Sequence, residues 1–338
     1  MQRAGSETER PVLRRLVALA VTFVLAGVSA CGPIWLGRRR HPAAEPEKIT
    51  AALARVPEPD ELPGIVGRLQ YHRVKPGETL LDVAREAGLG FHELRDANPT
   101  VDEWIPPAGA EVVVPSRWIL PRSKYRGLVV NIPEMRMYVF PTTARPGELV
   151  PLRTWAVGIG TEEAPSPIGP FTIRSKDANP TWIVPDDILR TMDNPRRVVP
   201  PGPDNPMGAY RLRLSHGLYA IHGTNDPWSI GRLTTHGCIR LYPEDLEILY
   251  PSVAPGTPGE LLYQPVKFGA RGTRIFVEVH ADVYGRIRDF ERYARAEARK
   301  AGVDQRIDFG RFLAAVKEKH GIPVDVTKGA PPPTEKRA

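Results

Sequence analysis

The chain has 338 residues, more than one hydrophobic core ordinarily organises, so its length predicts two or three domains. Its 41% apolar and 25% charged residues have the balance of a globular protein. The net charge of +7 is spread along the chain without a dense Lys/Arg block or interleaved aromatics, which argues against nucleic acid and suits an acidic envelope.

Arg14-Arg15 precede an apolar run from Leu16 to Ala30, too short to span a bilayer but suited to a signal-peptide core. The run ends Val28-Ser29-Ala30-Cys31, and small residues before a cysteine are similar to a bacterial lipoprotein signal. Residues 1–30 are therefore read as a signal peptide and Cys31 as a lipid attachment site. An uncleaved anchor and an ordinary secretory peptide are the alternatives. Cys31 and Cys238 are the two cysteines of the chain. With Cys31 lipidated, Cys238 has no disulfide partner in its own chain, which in an exported protein marks a reactive thiol.

Residues 31–68, with Arg38-Arg39-Arg40, scattered prolines and no sustained period, read as a linker with a short helix near Ile49–Arg55. A small module follows over residues 69–116. Tyr71–Val74 is strand-like, Lys75-Pro76-Gly77 is turn chemistry, and Thr79-Leu80-Leu81-Asp82 has the form of a capping box opening a helix through Ala87. Gly88 to Gly90 break it, Phe91–Ala97 make a second helix, and Glu111–Val114 return as a strand. This βααβ order, with Gly77, Thr79, Asn98 and Pro115 in place, resembles a LysM domain. The resemblance implies binding of N-acetylglucosamine-containing glycans in a shallow groove. A degenerate module that only spaces its neighbour from a membrane is the alternative.

From residue 124 to 280 the chain is strand-rich. Gly127–Asn131, Arg136–Phe140, Thr154–Ile159, Phe171–Ser175, Tyr210–Leu214, Tyr219–Ile221 and Ile275–His280 are β-branched or alternating runs bounded by Gly and Pro. Pro243–Tyr250 reads as a short helix. The predicted fold class is mainly β, a β-sandwich with small helices. In residues 281–338, Tyr284–Ala301 and Phe309–His320 carry apolar residues near a 3.6 period, predicting two amphipathic helices packed on the sandwich. The Pro- and charge-rich stretch from Gly329 to Ala338 reads as a disordered tail.

The chemistry concentrates in Ile221-His222-Gly223-Thr224 and Thr235-His236-Gly237-Cys238-Ile239-Arg240-Leu241. A thiol attacks carbonyl carbon well only as thiolate, and a neighbouring imidazole is the usual means of making one near neutral pH. Gly237 permits close backbone approach to a substrate. A buried, inert cysteine is the bland alternative. The order His-Gly-Thr, then Thr-His-Gly-Cys, resembles the L,D-transpeptidase (YkuD-type) catalytic domain, whose signature is a histidine followed downstream by [Ser/Thr]-His-Gly-Cys. Thr235 keeps the hydroxyl where serine is commoner. Val129–Tyr138, Gly158-Ile159-Gly160, Ser166–Phe171, Asn179–Trp182 and Gly202–Gly208 extend the resemblance over about Tyr125 to Val279. The last two segments are similar to the branch that includes the enzymes attaching Braun lipoprotein to peptidoglycan.

The resemblance implies Cys238 as nucleophile and His222 as base, with the other ring nitrogen of His222 oriented by the Gly223 carbonyl. His236 is the rival base, read instead as holding the loop through hydrogen bonds. Backbone N–H groups around Gly237 and Cys238 are the expected oxyanion donors. Arg240 either binds a substrate carboxylate or braces the loop against an acidic neighbour. Trp228 and Tyr210 either line the cleft or, as favoured, pack into the core. His222, His236 and Cys238 are a conceivable zinc set, but His-x-Cys puts two ligands in one tight turn without HxxxH or CxxC spacing, so no metal and no cofactor are expected.

The implied reaction is acyl transfer on peptidoglycan stem peptides. Glycan strands, an anchored lipoprotein as acyl acceptor and a membrane reached through Cys31 are the further expected partners. The implied location is the periplasmic cell envelope, the outer membrane favoured over the inner. An L,D-carboxypeptidase using water, and a wall-binding lipoprotein without catalysis, are the competing readings.

Overall fold

The computed structural model describes residues 45–190 and 195–331. The expected signal peptide, Cys31 and all but the start of the expected tail lie outside the described residues. Among the described residues no helix is long and apolar enough to cross a membrane.

Nine strands form the central sheet, in the spatial order Ala51–Arg55, Leu149–Ala156, Arg136–Phe140, Gly127–Asn131, Pro258–Leu262, Gly169–Ala178, Tyr210–Leu214, Ala220–His222 and Ile239–Arg240. Neighbours are antiparallel except at two places. Pro258–Leu262 runs parallel to Gly127–Asn131, and Ile239–Arg240 runs parallel to Ala220–His222. Gly127–Asn131 is buried at every position, as a strand covered on both faces must be. Leu128 and Val130 face one core with Trp155, Ile221, Ile239 and the helix Pro243–Ser252. Val129 faces the other with Tyr138, Leu152 and Leu80, Val83, Leu94 and Val112 of the small module.

The module therefore shares a core with the central sheet. Gln70–Arg73 pairs antiparallel with Glu111–Val114, and the helices Leu80–Ala87 and Phe91–Ala97 lie between them in sequence. Thr79 and Asp82 form the capping box that opens the first helix. The junction holds a buried charge pair. Glu93 of the second helix accepts from Arg136 Nε at 2.8 Å and Nη2 at 2.7 Å, and the guanidinium lies 4.1 Å from the Trp118 ring. Arg136 is 0% exposed, so Glu93 is what makes its burial tolerable. The same helix starts against the loop that leads to Cys238, with Phe91 N–H donating to the Ile230 carbonyl at 3.2 Å.

Residues 45–67 correct the expectation of a linker. Ala51–Arg55 is not a helix but the edge strand of the central sheet, paired from Ala51↔Arg153 to Arg55↔Leu149. Alanine is the best helix former, but propensity is a weak prior, and tertiary pairing overrides it in Ala51–Arg55. Ile65–Gly67 pairs with Arg117–Ile119.

The C-terminal helices are shorter than expected and sit elsewhere. Asp289 and Asp308 cap them, each carboxylate accepting the N–H three residues on, so the helices are Phe290–Lys300 and Phe309–Glu318. They pack on a separate sheet of Val266–Arg271, Arg274–Val279 and Val324–Asp325, whose core holds Phe268, Val277, Phe312 and Val316. Lys267 ties this sheet to the central one, its ammonium 2.7 Å from both Glu134 and Glu278. The fold is thus mixed α/β, with one large sheet and C-terminal helices. The mainly β expectation rested on residues 124–280 and set aside the four helices it had itself placed on either side of them.

Candidate active site

Tyr210–Leu214 turns through residues 215–219 into Ala220–His222, which registers Arg211 opposite His222. The chain then leaves on a crossover and returns so that Ile239–Arg240 lies parallel to Ala220–His222, with Ile221↔Ile239 and His222↔Arg240. Side chains at partnered positions of neighbouring strands share a face. Arg211, His222 and Arg240 therefore form a row across three strands, while Ile221 and Ile239 enter the core on the other side. Cys238 precedes Arg240 by two residues, and its thiol lies within reach of the Arg240 and Arg211 charges and of the Ala220 backbone.

His222 is buried, and its Nδ1 lies 2.6 Å from the Gly223 carbonyl oxygen. A carbonyl only accepts, so Nδ1 carries the proton and Nε2 keeps the free lone pair. Burial, then the Arg240 charge, pushes the imidazole pKa down to about 3, while the bond to Gly223 opposes this. Burial pushes the Cys238 thiol up, opposed by a backbone hydrogen bond at Ala220 and by the charges of Arg240 and Arg211. The resting pair is a neutral imidazole and a neutral thiol. Such a pair can act as nucleophile and general base, the proton moving as the sulfur attacks.

The turn carrying the thiol is built by Thr235. Its hydroxyl donates to the Cys238 carbonyl at 2.7 Å and accepts the Gly237 N–H at 3.1 Å. Gly237 has φ +96°, and a side chain there would overlap the Tyr219 ring. Both facts demand glycine. The Gly237 N–H, expected to face a developing oxyanion, is instead held by Thr235, because a threonine hydroxyl reaches the backbone two residues on.

The L,D-transpeptidase catalytic domain model, YkuD, matches residues 125–266. The chain is 31% identical over 299 residues to the "Probable L,D-transpeptidase ErfK/SrfK" of Escherichia coli (strain K12), covering 83% of this chain and 93% of that one. It is 36% identical over 240 residues to the "Probable L,D-transpeptidase YbiS" of the same strain, covering 68% and 76%. The "Probable L,D-transpeptidase YcfS" of that strain is 36% identical over 237 residues, covering 67% and 72%. The chain belongs to the L,D-transpeptidase family. L,D-transpeptidases of this kind are cysteine-dependent acyltransferases, and among the described residues Cys238 is the one free cysteine.

The remaining expected residues of this L,D-transpeptidase divide. His236 is exposed, and the hydrogen bonds expected of it in the loop are made by Thr235 instead. Trp228 lies in a short 3₁₀ turn, Pro227–Ser229, and is 45% exposed, which corrects its expected core role. Tyr210 stacks on Tyr250 at 4.3 Å along the core edge. Arg240 has its Nε buried without a hydrogen-bond partner, and the Asp226 carboxylate is the acidic neighbour whose charge reaches it, so both the substrate-binding and the bracing alternatives keep a structural basis. Among the described residues the group with metal-ligand spacing is Glu134, Glu278 and His280, not His222, His236 and Cys238. Lys267 already places a cation there. Arg211, held by Asp177 at 2.9 Å, is the site neighbour the sequence reading missed. Its signal was the alternation Arg211-Leu212-Arg213 on a strand facing the histidine segment.

The low pKa of His222 has a measurable consequence. The unfolded chain protonates this histidine near 6.5, the folded chain only near 3. Between those values the unfolded state binds more protons, so stability falls as pH is lowered through that window, by at most about 1.4 kcal/mol per pH unit from this group. His222→Gln should flatten that acid limb in denaturation curves taken from pH 7 to pH 4. An unchanged slope would contradict a ring buried in its neutral form.

Proposed function

We propose that Cys238 and His222 carry out peptidoglycan L,D-transpeptidation. Cys238 Sγ attacks the carbonyl of the third residue in a donor stem tetrapeptide as His222 Nε2 takes the thiol proton. The tetrahedral adduct collapses, the terminal D-Ala amine leaves with the proton from the imidazolium, and a thioester remains. An acceptor amine then attacks the thioester, gives its proton to His222 and restores the thiol. A stem-peptide amine yields a 3→3 cross-link, and a lysine of an anchored protein yields attachment in the manner of the Braun lipoprotein enzymes. Water as acceptor gives the L,D-carboxypeptidase reading.

The observation that carries this reading is the bond from His222 Nδ1 to the Gly223 carbonyl, which leaves the Nε2 lone pair free to accept the thiol proton. Arg240 is the proposed partner of a substrate carboxylate, since its buried Nε has no partner of its own. The Gly237 segment contributes the turn conformation, with the Cys238 N–H as oxyanion donor. Residues 124–280 are the proposed sandwich-type catalytic domain and 69–116 the proposed LysM-like glycan-binding module. Residues 281–338 form the extension. Cleavage after residue 30 and lipid at Cys31 would hold the enzyme in the envelope near its polymeric substrate, where effective concentration replaces affinity.

The test is incubation with disaccharide-tetrapeptide and mass spectrometry of the products. Release of D-Ala with dimer formation is the expected result. Tripeptide alone would assign water as acceptor, and no release of D-Ala would overturn the reading.

A further inference from the structure

The turn that carries Cys238 does not stand alone. Thr161 N–H donates to the Thr235 carbonyl at 2.9 Å, and the short strand Ile159–Gly160 runs parallel to Leu233–Thr235. Gly160 lies so close that a side chain on it would come within 2.9 Å of Gly237 Cα and 2.6 Å of Ser166 N. The segment from Gly160 to Ser166 is therefore the wall against which the nucleophile turn rests. Any shift in that wall moves Gly237, and with it the sulfur.

The wall is closed by three hydrogen bonds. Gly160 N–H donates to Ser166 Oγ at 2.9 Å. Ser166 N–H donates to the Tyr284 hydroxyl at 3.0 Å, and that hydroxyl donates to the Gly160 carbonyl at 3.0 Å. Tyr284 thus uses its one phenolic group as both donor and acceptor, joining the two ends of the segment. Burial raises its pKa, so the hydroxyl keeps its proton at neutral pH.

Tyr284 is itself held firmly. Its ring stacks on Tyr263 at 5.9 Å, and its N–H donates to the Tyr263 hydroxyl at 3.0 Å. That hydroxyl in turn donates to Asp282. The Arg286 guanidinium lies 5.1 Å and 5.3 Å from the two rings. These residues, Tyr263 apart, lie beyond residue 266, where the catalytic-domain match ends.

We propose that Tyr284 is a positioning residue for acylation: its hydroxyl latches the Gly160–Ser166 wall and so fixes the turn that aims Cys238. The C-terminal extension would then set the geometry of the nucleophile, not merely follow the catalytic domain. This rests on Cys238 being the nucleophile. A misplaced reacting group costs rate far more than it costs stability, because attack needs a narrow range of geometry.

The experiment uses the full chain with donor tetrapeptide, reading the acylation rate by intact mass at several donor concentrations. Tyr284→Phe keeps the ring and its stack on Tyr263 while removing the latch. It should lower the saturating acylation rate roughly ten- to a hundredfold with little change in the half-saturating donor concentration. Ser166→Ala removes the other hydroxyl of the ring of bonds and should give a similar loss. The double variant should be no slower than the slower single one, since both break one unit. A wild-type rate in Tyr284→Phe, a loss confined to half-saturation, or additive losses in the double variant would overturn the latch. Cys238→Ser run in parallel keeps the two readings apart: an acylated serine variant sinks the nucleophile assignment, whatever the tyrosine result.

Discussion

His222→Ala is expected to lower the acylation rate roughly 10²–10⁴-fold, the range over which a positioned general base acts. The fold should be retained, because the strand Ala220–His222 is paired on both sides through its backbone. His236→Ala is the decisive companion. His236 is two residues from the thiol in sequence, yet it is exposed and the turn is held by Thr235. That variant should acylate within a few-fold of wild type and unfold within about 0.5 kcal/mol of it, as substitutions away from buried features do. Acylation by folded His222→Ala at the wild-type rate, with loss in His236→Ala, would reverse the assignment.

The second large effect is on stability. Glu93→Ala leaves the Arg136 guanidinium, 0% exposed, without its carboxylate. Breaking a buried pair by removing one partner costs roughly 3–5 kcal/mol, a large share of the about 5–15 kcal/mol that keeps a protein folded. Replacing both partners at once, Glu93→Leu with Arg136→Met, should recover much of that loss, because no buried charge then remains. Denaturant unfolding checks both variants. A loss below about 1 kcal/mol for Glu93→Ala would contradict the junction as described. The same pair means that excising residues 71–115 would do more than remove the small module. It would uncover Arg136 and the face of the sheet that carries Val129, Tyr138 and Leu152.

Much of the fold was legible because local pattern and tertiary role agree. Gly127–Asn131, Arg136–Phe140 and Tyr210–Leu214 are strands where apolar or alternating runs end in turn residues. Where the two levels conflict, the sequence misleads. Pro258–Leu262 opens Pro-Gly, which reads as a turn, yet it sits between Gly127–Asn131 and Gly169–Ala178 in the sheet. Gly259 is there because a side chain would meet the Phe171 ring within 2.7 Å. Ala51–Arg55 had no strong pattern, and its partner lies about a hundred residues away.

The site shows the same division. His222, Gly223 and Cys238 stand in one short pattern, and the resemblance carried by that pattern implies the His222–Gly223 contact that the structure holds. The contributions of Arg211 and Tyr284 could not, since each comes from strand register or from a segment outside the pattern. Glu93 and Arg136 are 43 residues apart and read singly as surface charges. Only the fold brings them together in a core.

Acylation would form a covalent bond to one sulfur, and intact mass with peptide mapping tests that bond directly. Wild-type protein incubated with donor tetrapeptide should gain the mass of the acyl fragment, mapped to Cys238, while Cys238→Ser gains none, because a serine hydroxyl is far less ionised in the same place. An adduct of the same mass on Cys238→Ser, or one mapped to any other residue of the wild type, would contradict it.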